Sequence, residues 1–291
     1  MMNRKRGNKW GMLGYTLMVL FFLFWTIGPI VWSFMISITP KTDTMISPAP
    51  LFPAHSTWKN YQQLLAGVLT PGKVNQEARM FKIGMTNSLV SCLLVIVVGS
   101  PVCLLAAYAL SRLRFRGKKM IHALLLATLV IPLFSVIVPI YKIYSDLGLI
   151  NNYFGLMLVY ISAFMPLTVW LLCSHFESLP IDLEEAAKLD GCRPMQILLH
   201  ILLPISYPVL FAGALIMFIS TWNQFLIPLI LSPTNSTKPI AVIISEFVTK
   251  NTVNYGLMNA GGLLAVIPPV IIAIIFRRFL ISGLTAGAIK G

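Results

Sequence analysis

The chain has 291 residues, 57% of them hydrophobic and only 11% charged, with a formal net charge of +13 and a mean hydropathy of +0.82. That composition excludes an ordinary soluble domain, which needs a charged surface, and points to an integral membrane protein. It also excludes a nucleic-acid binder, because the basic residues lie in short segments flanking apolar runs, where membrane topology is written. Cys92, Cys103, Cys173 and Cys192 have neither CxxC nor metal-ligand spacing and read as small apolar core residues.

Residues 1–11 contain Arg4, Lys5, Arg6 and Lys9 and are predicted to form a cytoplasmic N-terminus. The apolar run Met12–Ile38 is longer than a signal-peptide core of about 7–15 residues and has no A-x-A-like cleavage site, so it reads as an uncleaved first transmembrane helix. Residues 39–83 are polar and Pro-rich, with a short helical piece near Thr57–Leu65, and are predicted to be an extracytoplasmic loop. The second run, Gly84–Leu110, ends in the densest basic cluster, Arg112, Arg114, Arg116, Lys118 and Lys119, which assigns that loop to the cytoplasm. The third run, Met120–Ile143, is expected to be one span despite Pro132 and Pro139, because prolines are tolerated where neighbouring helices re-satisfy the backbone.

The remaining runs are Tyr153–Cys173, Ile205–Leu231 and Leu257–Leu280, the last closed by Arg277 and Arg278. Each run is long enough for a hydrocarbon core of about 30 Å at 1.5 Å per residue. Residues 232–256 form a second outer loop, whose apolar middle, Ile240–Val248, can fold back on the protein. The expectation is therefore an all-α integral membrane protein, with residues 12–291 forming one six-helix domain. By alternation both termini, the loop 176–204 and the tail 281–291 fall in the cytoplasm.

The loop 176–204 is the chemical anomaly of the chain. Five of the nine acidic residues lie at or beside it: Glu177, Asp182, Glu184, Glu185 and Asp190. Asp182, Glu184 and Glu185 suit the positive end of a helix dipole, and Pro180 suits a first helical turn. Ala186, Ala187, Lys188 and Leu189 are good helix formers, and Gly191 can take the left-handed backbone that ends the helix. Pro194 opens a second helix through Leu203, with Pro204 and Pro208 at the start of the next span. The small pair Ala186–Ala187 leaves a flat surface for a partner, and Glu185 beside it offers a carboxylate to a basic group.

Glu185-Ala186-Ala187, Gly191, Ile201, Leu203 and Pro204 fit the pattern E-A-A-x3-G-x9-I-x-L-P at every fixed position, and the loop thereby resembles the EAA loop of ABC importer permeases. Trp222-Asn223-Gln224-Phe225 with Pro228, and the tail Gly283–Gly291, extend the resemblance over nearly the whole chain to the shorter permease of maltose-type carbohydrate importers. The resemblance implies the type I (MetI-like) permease fold in a bacterial or archaeal cytoplasmic membrane. It implies a heterodimer with a second, homologous permease, two cytoplasmic ABC ATPase subunits and an extracytoplasmic solute-binding protein. The EAA residues would form a coupling helix seated in an ATPase cleft, with Glu185 facing a basic residue. Gly283, Leu284, Thr285, Ala286, Gly287 and Lys290 of the tail would touch the ATPases, and loop 232–256 would probe the binding protein. ATP and Mg would be bound by the partner ATPases, leaving this chain a transport subunit without a cofactor of its own.

Polar residues inside apolar spans are costly and therefore mark candidate path residues: Asn87, Ser88, Asn223, Gln224 and Asn259, with Trp170 and Trp222 as sugar-stacking platforms. The alternative for the amides is helix–helix hydrogen bonding, and for the tryptophans core or interface packing. A sugar or oligosaccharide is the expected solute, with a phosphorylated polyol, peptide or amino acid as the alternative. An ion-coupled transporter or a membrane-embedded enzyme needs ionisable groups within the spans, whereas Asp and Glu here are confined to loops and span ends.

Overall fold

The computed structural model describes residues 9–43, 55–65, 76–247 and 254–285, and every regular element among them is helical. The α-helices are α1 (Lys9–Ser37), α2 (Lys59–Leu65), α3 (Gln76–Arg112), α4 (Lys118–Ala127), α5 (Leu133–Asp146), α6 (Tyr153–Ser178), α7 (Asp182–Leu189), α8 (Pro194–Ile197), α9 (Leu203–Trp222), α10 (Leu226–Leu231), α11 (Ile240–Ser245) and α12 (Tyr255–Thr285). Five stretches are long and apolar enough to cross a membrane: α1, α3, α6, α12 and the continuous helical stretch Pro194–Trp222.

The third predicted run, expected to be one span, is not one continuous helix. It is two helices, α4 and α5, bent by 106° and together able to count as a sixth, broken span. Ile131 precedes a proline and is extended (φ −73°, ψ 118°), and Pro132 follows at φ −65°, ψ 129°. The Pro132 ring clashes with a helical residue before it, so the helix stops there. Pro29, Pro101, Pro139, Pro166, Pro208, Pro268 and Pro269 all lie inside continuous helices. The fifth run is also shorter than expected as a helix. It ends at Trp222, and Asn223–Phe225 separate it from the short α10.

The chain divides into two compact units, Met1–Arg79 with Ile244–Leu264 and Met80–Ile243 with Ala265–Gly291. In the first, the predicted helical piece appears as α2 and docks on the end of α1. Asn60 Nδ2 donates to the backbone oxygens of Ser37 (2.8 Å) and Thr39 (3.3 Å), and Ser37 Oγ and Tyr61 Oη share a 2.7 Å hydrogen bond. Trp58 packs against the rings of both Phe34 and Tyr61. Most of the apolar surface of α1 is left exposed.

The second unit holds the main core, built around Tyr160, Leu172, Phe176, Leu198, Leu202, Met217 and Ile227. Its dominant helix pair is α6 with α9. Gly213 permits their close approach: a Cβ there would stand 2.9 Å from Thr168 Cγ2. Small residues at such contacts let helices pack where lipid removes any hydrophobic drive between them. As expected from its apolar middle, the segment after α10 folds back on this unit as far as Ile243. Ile240, Val242 and Ile243 of α11 are buried, and Ile240 N donates to Ser88 Oγ at 2.9 Å.

Candidate functional site

The acidic segment forms a helical hairpin whose local chemistry explains its shape. The helix α7 starts from Ile181, whose carbonyl accepts from Glu184 N (2.9 Å) and Glu185 N (3.1 Å), with Pro180 just ahead of it. Asp182, Glu184 and Glu185 occupy the first turn, where the helix dipole favours carboxylates. The end of α7 is a Schellman closure: Gly191 N donates to Lys188 O (3.0 Å) and Cys192 N to Ala187 O (2.9 Å). Closure requires a left-handed residue, and Gly191 supplies it at φ +81°. Arg193 N then donates to the Gln196 side chain (2.8 Å), and Pro194 opens α8.

The second arm does not end before the membrane span. Leu198–Leu202 make one turn of π-helix and lead straight into α9. Pro204 has no N–H to give and its ring crowds the preceding turn, so a widened turn upstream accommodates it. Ile201 and Leu203 are half-buried against the main core at this junction. The arm is therefore continuous with a long membrane helix.

The two faces of α7 differ in kind. Glu184 and Ala187 point inward and are buried, Ala187 within the main core. Asp182, Glu185, Ala186 and Leu189, spaced three and four residues apart, are exposed on the opposite face, with Leu189 at 90% exposure. That face combines at Glu185 a carboxylate with no ion-pair partner among the described residues, a small residue and a protruding apolar side chain. Ile181, Leu183, Met195 and Leu199 of the same hairpin are also exposed. Such a surface fits a partner with a basic group beside an apolar socket.

Sequence reasoning missed two residues. The inward carboxylate of Glu184 forms an ion pair with Arg112 at the end of α3, with Nε to Oε1 at 2.7 Å. Arg112 Nη2 also donates to Leu179 O (2.8 Å), between α6 and α7. The available signal was Glu184's position three residues before Ala187 on the buried stripe, since a carboxylate there requires a cation.

The path candidates differ in how their polar atoms are used. Asn87 is buried and fully engaged: its Oδ1 accepts from Tyr153 Oη (2.6 Å) and its Nδ2 donates to the carbonyls of Asn235 (3.0 Å) and Lys238 (2.9 Å). Trp222 is buried, stacks on Phe218 and donates from Nε1 to Ala265 O (3.1 Å). Asn259, in the first unit, accepts from Ser33 Oγ (2.7 Å) and donates to Tyr255 O (2.8 Å). Trp170 is exposed on α6. Asn223 is exposed and Gln224 partly so, both in the break between α9 and α10. Their side chains have no hydrogen-bond partner among the described residues. Of the tail, Gly283, Leu284 and Thr285 continue α12, while Ala286, Gly287 and Lys290 lie outside the described residues. Among the described residues no group of three His, Cys, Asp or Glu side chains could hold a metal ion.

Residues 99–286 match the family model described as "Binding-protein-dependent transport system inner membrane component". The chain is 33% identical over 280 residues to the trehalose/maltose transport system permease protein MalG of Thermococcus litoralis, covering 96% of this chain and 95% of that protein. It is 32% identical to the trehalose transport system permease protein SugB of Mycobacterium tuberculosis, over the full length of both. Its fold matches a chain in the crystal structure of a bacterial ABC transporter involved in the import of the acidic polysaccharide alginate. The TM-score is 0.78 at 20% identity, over 96% of this chain and 99% of that one. The hairpin, the bundle of apolar helices and these likenesses agree: this chain is a multi-pass membrane protein and belongs to the family of inner membrane components of binding-protein-dependent transport systems.

Proposed function

We propose that this chain is one permease subunit of an ATP-driven importer for a sugar or oligosaccharide. The observation that carries the reading is the outward face of α7, where Glu185, Ala186 and Leu189 are exposed on a helix rooted in the core and joined by the Gly191 turn to a second arm that runs on into a membrane-length helix. Two ABC ATPase subunits dock on the cytoplasmic side, one of them receiving α7, with Glu185 against a basic group. These subunits bind ATP and Mg, and this chain supplies no cofactor. A homologous permease completes the path, and the exposed apolar length of α1 is available to it and to lipid. An extracytoplasmic binding protein delivers solute to the side bearing loop 232–256. The basic residues 112–119 and Arg4, Lys5, Arg6 and Lys9 support cytoplasmic placement of the hairpin and of both termini. The tail 283–291 adds a second ATPase contact.

Closure of the ATPase pair on ATP displaces the hairpin, which turns the permease halves from inward- to outward-facing by rigid-body rocking. MalG is a trehalose/maltose transport permease and SugB a trehalose transport permease, which supports a disaccharide as solute. Within this chain the unpartnered amides of Asn223 and Gln224 and the exposed Trp170 are the groups free to meet it, with the partner permease supplying further contacts.

The test is reconstitution of the chain with its partner permease, ATPase and binding protein in proteoliposomes. Radiolabelled trehalose or maltose should accumulate only with ATP inside and binding protein outside. Glu185→Lys should lower transport per ATP by about thirtyfold in a complex that still assembles. Absence of any ATPase from the purified wild-type complex overturns the reading.

A further inference from the structure

The pairing that holds α7 to the rest of the second unit has a consequence beyond docking. Arg112 is the last residue of α3 and Glu184 lies in the first turn of α7, and their side chains are only 9% and 3% exposed. Apart from their mutual contact, Arg112 Nε and Glu184 Oε1 have no hydrogen-bond partner among the described residues. Two charges in a low-dielectric site hold one another tightly, and removing one strands the other. The guanidinium also reaches Leu179 O through Nη2, so one planar group spans α3, the 179–181 link and α7. An ammonium cannot copy that two-direction geometry.

The surroundings stiffen the same joint. Cys173 Sγ donates to Ala107 O (3.5 Å), and the ring of Tyr108 meets Phe176 edge-on at 6.4 Å, so α3 and α6 are locked one turn deeper. Lys118 Nζ donates to the carbonyls of Ser111 (3.0 Å) and Leu113 (3.3 Å), which holds the turn beyond Arg112 closed. By contrast, α7 has only eight residues, and a helix that short keeps its place through tertiary contacts rather than its own stability.

We infer that Arg112 and Glu184 are positioning residues for energy coupling: their ion pair makes α7 and the end of α3 one mechanical piece. The adjacent glutamates divide the work. Glu185 faces the ATPase, and Glu184, turned about 100° away on the helix, passes the displacement to α3 as well as to α9. Without the pair, motion delivered to α7 is absorbed in the non-helical link at 179–181. This inference rests on the reading of α7 as the ATPase-gripped helix.

The experiment uses the complete transporter in proteoliposomes with trehalose as probe. It compares wild type, Arg112→Gln, Glu184→Gln, Arg112→Lys and the charge swap Arg112→Glu with Glu184→Arg. Trehalose transported per ATP hydrolysed is measured together with the distance between spin labels at Lys188→Cys and Leu113→Cys, both exposed positions. The expected result for each neutralised variant is continued ATP hydrolysis, transport per ATP lower by about tenfold or more, within the usual range of coupling energies, and a broadened label distance. Arg112→Lys should fall between wild type and Arg112→Gln. The swap should restore the narrow distance and most of the transport. If a single variant fails to assemble, the swap decides: restored assembly supports the pair, and continued failure overturns it. Neutralised variants with wild-type coupling and a wild-type distance overturn the inference while leaving the proposed function intact. If wild type does not carry trehalose, the label distances still decide the inference. A wild-type chain that binds no ATPase overturns the proposed function and this inference with it.

Discussion

The hairpin and the polar positions of the spans both place polar groups where an apolar chain has little use for them, but they use them in opposite ways. In the hairpin, Glu185 is exposed and, among the described residues, without an ion-pair partner, on a helix whose inner face is fixed in the core. In the spans, Asn87, Trp222 and Asn259 have given their polar atoms to the protein itself. Asn87 joins α3, α6 and the segment 235–238, so its role is that of a staple for that segment. The difference teaches that unspent hydrogen-bonding capacity, rather than polarity alone, separates a surface awaiting a partner from one already matched. By that measure Asn223 and Gln224 belong with Glu185, although they lie in a membrane-spanning run.

The comparison breaks most easily at Asn87. Asn87→Leu removes three hydrogen bonds and leaves the hydroxyl of Tyr153 and two carbonyls without their partner. Allowing for the modest value of such bonds in membranes, the loss is about 2–3 kcal/mol, visible as a lower melting temperature in detergent. An unchanged melt with a raised KM for solute would move Asn87 into the path. Glu185→Lys makes the complementary case. It should leave the melt within about 0.5 kcal/mol of wild type, as an exposed substitution does. It should lower transport per ATP by about thirtyfold, roughly 2 kcal/mol of coupling. The double variant Asn223→Ala with Gln224→Ala should raise the KM for solute about fivefold, the scale of roughly one hydrogen bond, with the melt unchanged. A lowered melt at wild-type KM would class the two amides with Asn87.

The hairpin was legible in the sequence because its signals are local. A proline ahead of the helix, carboxylates in its first turn, an alanine pair and a glycine at the end each act on neighbouring residues, and their spacing fixes the shape. The apolar runs, α2 and the folded-back α11 were legible for the same reason. What the sequence concealed depends on distant partners. Glu184 and Glu185 are chemically identical and adjacent, and the one that turns inward is chosen by Arg112 at the end of another helix. Asn87 and Asn223 are both amides in apolar runs, and only the return of residues 235–238 separates their roles. Pro132 and Pro139 are likewise one residue type with two outcomes: one follows an extended Ile131 and breaks the third run, and the other lies within α5.

The smallest effect belongs to the residue that ends α7. Gly191 sits at φ +81° with open space around its Cα, so Gly191→Ala meets no steric contact and its penalty is that of the left-handed backbone alone, about 1 kcal/mol. The Schellman bonds from Gly191 N and Cys192 N persist if that strain is borne, which keeps Leu189 and Glu185 on the outward face. The expected phenotype is a small drop in melting temperature with transport per ATP close to wild type. Gly191→Val carries a branched side chain, tolerates this conformation far less, and should begin to lower coupling as the turn reshapes. A graded loss from alanine to valine, parallel in melt and coupling, ties the orientation of the docking face to this one backbone angle. Loss of coupling with alanine at an unchanged melt would instead mean that the partner touches Gly191 itself.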